Sequence, residues 1–124
     1  MLFEILSDLV CIEDVLLIVK NPSATSEIKT NNLDIKQNEK WITIGNNDDP
    51  AHVHINSDMI KSIEFTEEEK PERTSFSVRF FDENHERVVA AFFTKMYDED
   101  KNLKLSRKNI FDDLQKKFGS VIKI

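Results

Sequence analysis

The segment SFSVRFFD at residues 75–82 gives the clearest indication of the fold. Its apolar side chains recur at every second position, which is typical of a β-strand with one buried face. The following segment DENHE at 82–86 has the length and composition of a hairpin connection, and VVAAFF at 88–93 reads as a second apolar strand. The sequence therefore predicts an antiparallel strand pair over these residues.

Further apolar runs rich in β-branched and aromatic residues precede this pair, and polar turns separate them. We predict strands at Phe3–Val10, Val15–Val19, Trp41–Ile44, His52–Ile55, Met59–Thr66, Phe76–Phe81 and Val88–Phe93. The segment from Ser23 to Lys40 is polar with few apolar anchors, which predicts a long loop that could cover a ligand. We expect the middle of the chain to form an antiparallel meander.

The C-terminal part of the chain changes from the strand period to the helix period. Apolar residues recur every four positions, at Ile110, Leu114 and Phe118, with Phe111 beside them. Ser106 is the expected N-cap of this helix and Gly119 the expected C-cap residue. The predicted fold is a single α+β domain over residues 1–124, in which an antiparallel β-meander sheet carries a C-terminal amphipathic helix on one face.

The composition is that of an acidic domain of ordinary size. Acidic residues outnumber basic ones 23 to 17, and the net charge of −6 argues against nucleic acid as a partner. No apolar run approaches the about 20 residues that span a membrane, and the start MLFEI lacks the basic region of a secretory signal. We expect a cytoplasmic protein, with Cys11 as a buried thiol in a reducing compartment.

Two of the three histidines lie in the segment AHVHIN at residues 51–56. Side chains on a strand alternate between its two faces, so His52 and His54 should point to the same side. Imidazole is a common metal ligand, and this segment is the first candidate for a functional site. The alternative is a polar strand face, or a histidine that hydrogen-bonds a backbone carbonyl. His85 lies in the hairpin connection and is expected to be an exposed turn residue.

The order of these segments resembles a known family. HVHI at 52–55, IKSIEF at 60–65, a charged loop, SFSVRFFD, a turn, VVAAF at 88–92 and a closing helix look like the haem-utilisation carriers of the HutX/ChuX type and the tandem-repeat HemS-type haem chaperones. The resemblance covers roughly residues 41–119. It implies a HemS/ChuX-like fold and a homodimer that imitates the two repeats of the longer chaperones.

The resemblance also implies a function, which is intracellular haem binding or haem carriage with a histidine as iron ligand. Carried over to this chain, the candidate iron ligands are His54 and His52. Arg79 and Lys61 are the candidate partners of the haem propionates, because cations form charge-assisted hydrogen bonds with carboxylates. A protein that donates haem to this chain or accepts it would be a further partner.

The sequence departs from the family pattern at four positions. A small residue, a basic residue, a glycine and a lysine are replaced here by Val53, Asn56, His85 and Ala90. A dimeric interaction module that has the same fold but binds no ligand is therefore an alternative.

A second alternative is a cupin-like metal-dependent enzyme. Asp58 lies four residues after His54, and Glu64 could supply a further oxygen ligand. However, no glycine- and proline-rich second motif is present, and two glycines in 124 residues are few for such a barrel. The serines and Cys11 show no pattern of a nucleophilic catalyst, so the sequence does not indicate an enzyme.

Overall fold

The computed structural model describes residues 1–31 and 33–124. Its α-helices are α1 (Leu2–Val10) and α2 (Leu105–Phe118), and a short 3-10 helix spans Ser57–Met59. Its strands are β1 (Val15–Asn21), β2 (Ala24–Lys29), β3 (Ile35–Asn38), β4 (Trp41–Ile44), β5 (Val53–Asn56), β6 (Ser62–Glu69), β7 (Thr74–Phe81), β8 (Arg87–Phe93) and β9 (Val121–Lys123). The strands form a six-stranded sheet of order β2-β1-β8-β7-β6-β9 and a three-stranded sheet of order β3-β4-β5. All strand pairs are antiparallel, as the meander prediction requires.

One hydrophobic core joins the two sheets. The inner face of the three-stranded sheet contributes Ile42, Ile44 and Ile55, and β7 contributes Val78 and Phe80 to the same cluster. Alternate residues of a strand point to opposite faces, so the remaining side chains of both sheets point away from this core. The outer face of the small sheet and the outer face of the large sheet therefore lie on opposite sides of the molecule.

The first predicted strand is wrong, because residues 2–10 form the helix α1. The buried residues of this helix are Leu2, Ile5, Leu6, Leu9 and Val10. Their spacing of three and four positions is the helical period, which overrides the alternation that a short apolar run also offers. Cys11 follows the helix as its C-cap residue and is exposed, so the expectation of a buried thiol is also wrong.

The predicted loop from Ser23 to Lys40 is wrong as well, since it contains β2 and β3. Asn21 begins the turn into β2 by accepting hydrogen bonds from the backbone N–H groups of Ser23 and Ala24 at 2.8 and 3.0 Å. Because β2 is an edge strand and only its Ile28 is buried, its polar sequence resembles a loop. Residue 32 of the predicted loop lies outside the described residues.

The C-terminal helix is present and packs on the inner face of the six-stranded sheet. Its fully buried residue is Phe111, whose ring meets the rings of Phe65, Phe76 and Phe93 edge-on with centroids 5.8, 5.4 and 5.3 Å apart. Gly119 is the C-cap residue as predicted, with a φ of 103° that favours glycine. The N-cap residue is Lys104 and not Ser106.

No helix in the described part of the chain is long and apolar enough to cross a membrane.

Candidate functional site

The outer face of the three-stranded sheet carries the two strand histidines. Residues Lys36, Thr43 and His54 lie opposite one another on β3, β4 and β5 and form one row across the sheet. The neighbouring row consists of Asn38, Trp41 and Asn56. Ile42 and Ile55 lie between these rows on β4 and β5 and point into the core, so both rows face outward.

The ring of His54 is exposed but held in place. Its Nδ1 atom lies 2.8 Å from Oγ1 of the buried Thr43, and the two atoms share a hydrogen bond. When Nδ1–H donates to the threonine oxygen, Nε2 keeps its lone pair and can bind a metal. The ring of His52 lies beside it, edge-on, with the two centroids 5.1 Å apart. The alternation rule therefore placed both histidines on one side correctly.

Gly45 allows the β4–β5 connection to pass close to His52. Its φ is 89°, and a Cβ atom at this position would lie 3.0 Å from the carbonyl oxygen of Ala51 and 3.1 Å from Cβ of His52. Its N–H group donates to the carbonyl oxygen of Asp34 at 2.7 Å. A side chain at residue 45 would thus displace the strand end from which His52 projects.

A shallow cavity of about 480 Å³ opens next to His54 on this face. It is lined by Lys36, Asn38, Glu39, Trp41, Thr43 and His54. Trp41 is 44% exposed, and Lys40 Nζ lies 5.9 Å from the centroid of its ring. Trp41 and Lys36 are not among the site residues predicted from the sequence. Correct pairing of 35–38 and 53–56 with 41–44 would have placed both on the face of His54.

The other two predicted site residues do not line this cavity. Arg79 lies on β7 between the core residues Val78 and Phe80, so it projects from the outer face of the six-stranded sheet. Its Nη2 atom is 3.2 Å from Glu68 Oε2. Lys61 is exposed and directly precedes β6. The structure therefore brings the two histidines together and places Arg79 on the opposite side of the core.

The outer face of the six-stranded sheet has features of its own. The guanidinium groups of Arg79 and Arg87 both lie over the ring of Phe92, at 5.8 and 5.6 Å from its centroid. Burial and the neighbouring charge of Arg79 lower the pKa of Arg87. Leu16 and Ile18 are half-buried on the adjacent strand and, with Phe92, line one wall of a cavity of about 760 Å³. Both helices contribute to the core on the other face of this sheet.

His85 lies in the β7–β8 connection and is exposed, as predicted. Its ring stacks on Phe81 with centroids 4.3 Å apart, and its Nε2 atom is 3.3 Å from Glu64 Oε2. Glu64 is thus directed toward His85 and away from the strand histidines. Across residues 1–31 and 33–124 no three side chains of histidine, cysteine, aspartate or glutamate are close enough to hold a metal. The cupin-like metal site is not formed there.

Comparison with known proteins places the chain in a family. A protein-family model matches residues 3–119. The heme-binding protein ChuX has the same fold, with a TM-score of 0.76 and 13% identity over 92% of this chain and 70% of ChuX. The chain belongs to the haem-utilisation family of the HutX/ChuX type. The family and the HemS/ChuX-like fold predicted from the sequence are thereby confirmed.

Other members of this structural group differ in length. A protein from Agrobacterium tumefaciens matches with a TM-score of 0.74 and 23% identity, over 93% of this chain and 65% of its own. ChuS, a heme oxygenase from E. coli, matches with a TM-score of 0.71 and 14% identity, over 91% of this chain and 34% of ChuS. The present chain therefore spans about a third of ChuS. No curated protein sequence matches it.

Proposed function

We propose that this protein binds haem, with His54 as the iron ligand and His52 beside it. The fold supports haem binding, because ChuX is a heme-binding protein and ChuS a heme oxygenase. The observation that carries the choice of His54 is its exposed ring, whose Nδ1 atom is held 2.8 Å from Thr43 Oγ1. Metal-binding histidines are commonly oriented by such a second hydrogen bond, which leaves the other nitrogen for the metal.

The residues around His54 suit a haem group. Haem supplies an iron centre that accepts an axial imidazole, and His54 presents one at the molecular surface. Trp41 offers an apolar ring beside it, and Lys36 offers a positive charge. The cavity is open and shallow, so a bound group would stay accessible to a second protein.

This accessibility favours a carrier over an enzyme that encloses its substrate. We propose that the protein receives haem from one protein and passes it to another inside the cell. Arg79 lies across the core from His54, so within one chain the same haem does not contact both. Arg79 is therefore not a propionate partner of a haem on His54, whereas Lys61 stays a proposed propionate partner.

We also propose that the chain forms a two-fold homodimer through the outer face of the six-stranded sheet. This face exposes part of Leu16, Ile18 and Phe92, and it carries acidic Glu64 and Glu68 as well as the two arginines. At a two-fold interface, a residue away from the axis contacts a different residue of the partner, so an arginine of one chain can pair with an acidic residue of the other. A dimer that has this interface but binds no ligand is the second candidate function.

A hemin titration of the purified protein distinguishes the two candidates. We expect a saturable shift of the Soret band with one hemin bound per chain. The Soret band could instead change without reaching saturation, or the spectrum could equal that of free hemin throughout. Either result would make the ligand-free dimer the better explanation.

A further inference from the structure

We propose that Trp41 and Lys36 complete the site at His54 as two further residues that recognise its ligand. This inference rests on the proposed haem function and adds the residues that recognise the ring and the propionates. Trp41 would contact the face of the porphyrin, and Lys36 would pair with a propionate.

The exposure of Trp41 is the first observation behind this inference. Among the large hydrophobic residues found exposed in the described structure, Trp41 is the one aromatic residue. The phenylalanines and the tyrosine are all buried or half-buried. An exposed indole forgoes the free energy that its burial would provide. Trp41 lines the same cavity as His54, so its ring is available to a ligand there.

The register of the strands places Trp41 within reach of a ligand on His54. Trp41 pairs with Asn56, and His54 pairs with Thr43, so Trp41 and His54 are diagonal neighbours on two adjacent strands. Diagonal neighbours on an antiparallel pair are about 7–8 Å apart, a distance that a large aromatic side chain spans. A planar ring that approaches the imidazole therefore meets the indole on one side.

Lys36 lies at the other end of the row that contains His54. Two strand spacings separate it from His54, which is about 10 Å. Lys36 takes part in no ion pair among residues 1–31 and 33–124, so its charge is available to a ligand. Glu39 lines the same cavity and opposes an anionic ligand, which makes the lysine charge more important for binding.

These positions explain how the site could function although Asn56 replaces the basic residue of the family pattern. Lys36 supplies a positive charge on the same face but from β3, two strands away. Lys36 would contact a carboxylate of the ligand, Trp41 its ring and His54 its iron. The three contributions can therefore be separated by changing the ligand as well as the protein.

The test compares the hemin affinity of Trp41→Ala, Trp41→Phe and Lys36→Ala with that of the parent by absorbance titration. Loss of an aromatic stacking contact lowers affinity by about tenfold, so we expect that loss for Trp41→Ala and recovery for Trp41→Phe. Lys36→Ala should weaken hemin binding by about threefold, as expected for an exposed ion pair, and should not change the affinity for haem dimethyl ester. Lys29→Ala, which removes an exposed lysine of β2, is the matched control.

Two results would overturn the inference, and they differ from each other. If the parent binds hemin through His54 but Trp41→Ala and Lys36→Ala bind it equally well, the ring and propionate contacts lie elsewhere. If the parent binds no hemin, the proposed function fails and this inference fails with it. Circular dichroism of each variant shows whether a loss of affinity comes from unfolding.

Discussion

Thr43 Oγ1 and His54 Nδ1 lie 2.8 Å apart across the β4–β5 pair, and this contact holds an exposed imidazole in one orientation. Because Thr43 is buried, water competes only weakly for this hydrogen bond.

Replacing Thr43 by valine removes the hydroxyl but keeps the branched shape of the side chain. We expect Thr43→Val to lower hemin affinity by about tenfold, because partners that orient a metal-binding histidine are worth about 10–100-fold in affinity. The Soret band of the saturated complex should remain. Thr25→Val, at an exposed position of β2, is the control. Equal affinities of Thr43→Val and the parent would mean that the contact does not orient the iron ligand.

The packing of α2 provides a prediction about stability. Phe111 is fully buried against three other phenylalanine rings, so we expect Phe111→Ala to reduce the free energy of unfolding by about 3–5 kcal/mol. Ile110 is 38% exposed, and Ile110→Ala should cost much less. Urea denaturation measures both. A similar cost for the two variants would show that the helix faces the sheet differently.

The strands with alternating or continuous apolar residues could be predicted from sequence because their burial pattern is local. Trp41–Ile44 was predicted with both ends correct, and β7 and β8 were found within two residues. The edge strand β2 could not be recognised in this way, since it buries a single side chain. The helix α1 was mistaken for a strand because it is short and almost entirely apolar.

The candidate site was only partly predictable for a related reason. Two histidines separated by one residue share a face by a local rule, so their proximity followed directly from the sequence. The contacts of His54 with Thr43 and the positions of Trp41 and Lys36 depend on strand pairing, which a single sequence does not specify. For the same reason the sequence could not show that Arg79 and His54 lie on opposite sides of the core.

The proposed dimer gives a prediction about mass. Light scattering at micromolar concentration should return twice the 14.5 kDa mass of one chain. Ile18→Glu places an additional charge on the half-buried outer face of the six-stranded sheet and should return the mass of one chain. Lys116→Glu, at an exposed position of α2 on the other side of this sheet, should leave the dimer intact. A parent protein with the mass of a single chain would contradict the dimer.

The ion pairs of α2 lead to a prediction about pH. Hydrogen bonds from Lys108 Nζ to Asp112, at 2.7 and 2.9 Å, raise the pKa of Lys108 above its usual value of 10.5 despite some desolvation, and Glu67 adds to the effect. A raised pKa in the folded state means that the charged form stabilises the fold. This stabilisation is complete below the pKa of the unfolded chain and disappears as pH rises through the folded pKa.

Lys108→Met should therefore lower the melting temperature at about pH 8 and make little difference at about pH 12. Lys116→Met, at an exposed position of the same helix, should have little effect at either pH. If Lys108→Met and the parent differ equally at both pH values, the difference comes from packing against Phe76 and not from charge.

The central claim is that His54 is the iron ligand of a haem-binding protein. Its most direct test is the absorption spectrum of hemin in the presence of the parent protein, His54→Ala, His52→Ala and His85→Ala. We expect the parent and His85→Ala to give the same saturable Soret band, since His85 projects from a hairpin connection and faces Glu64. His54→Ala should lose or shift the band, and His52→Ala should have a smaller effect. If His54→Ala and His52→Ala each bind hemin with the spectrum and affinity of the parent, the histidine ligand is contradicted.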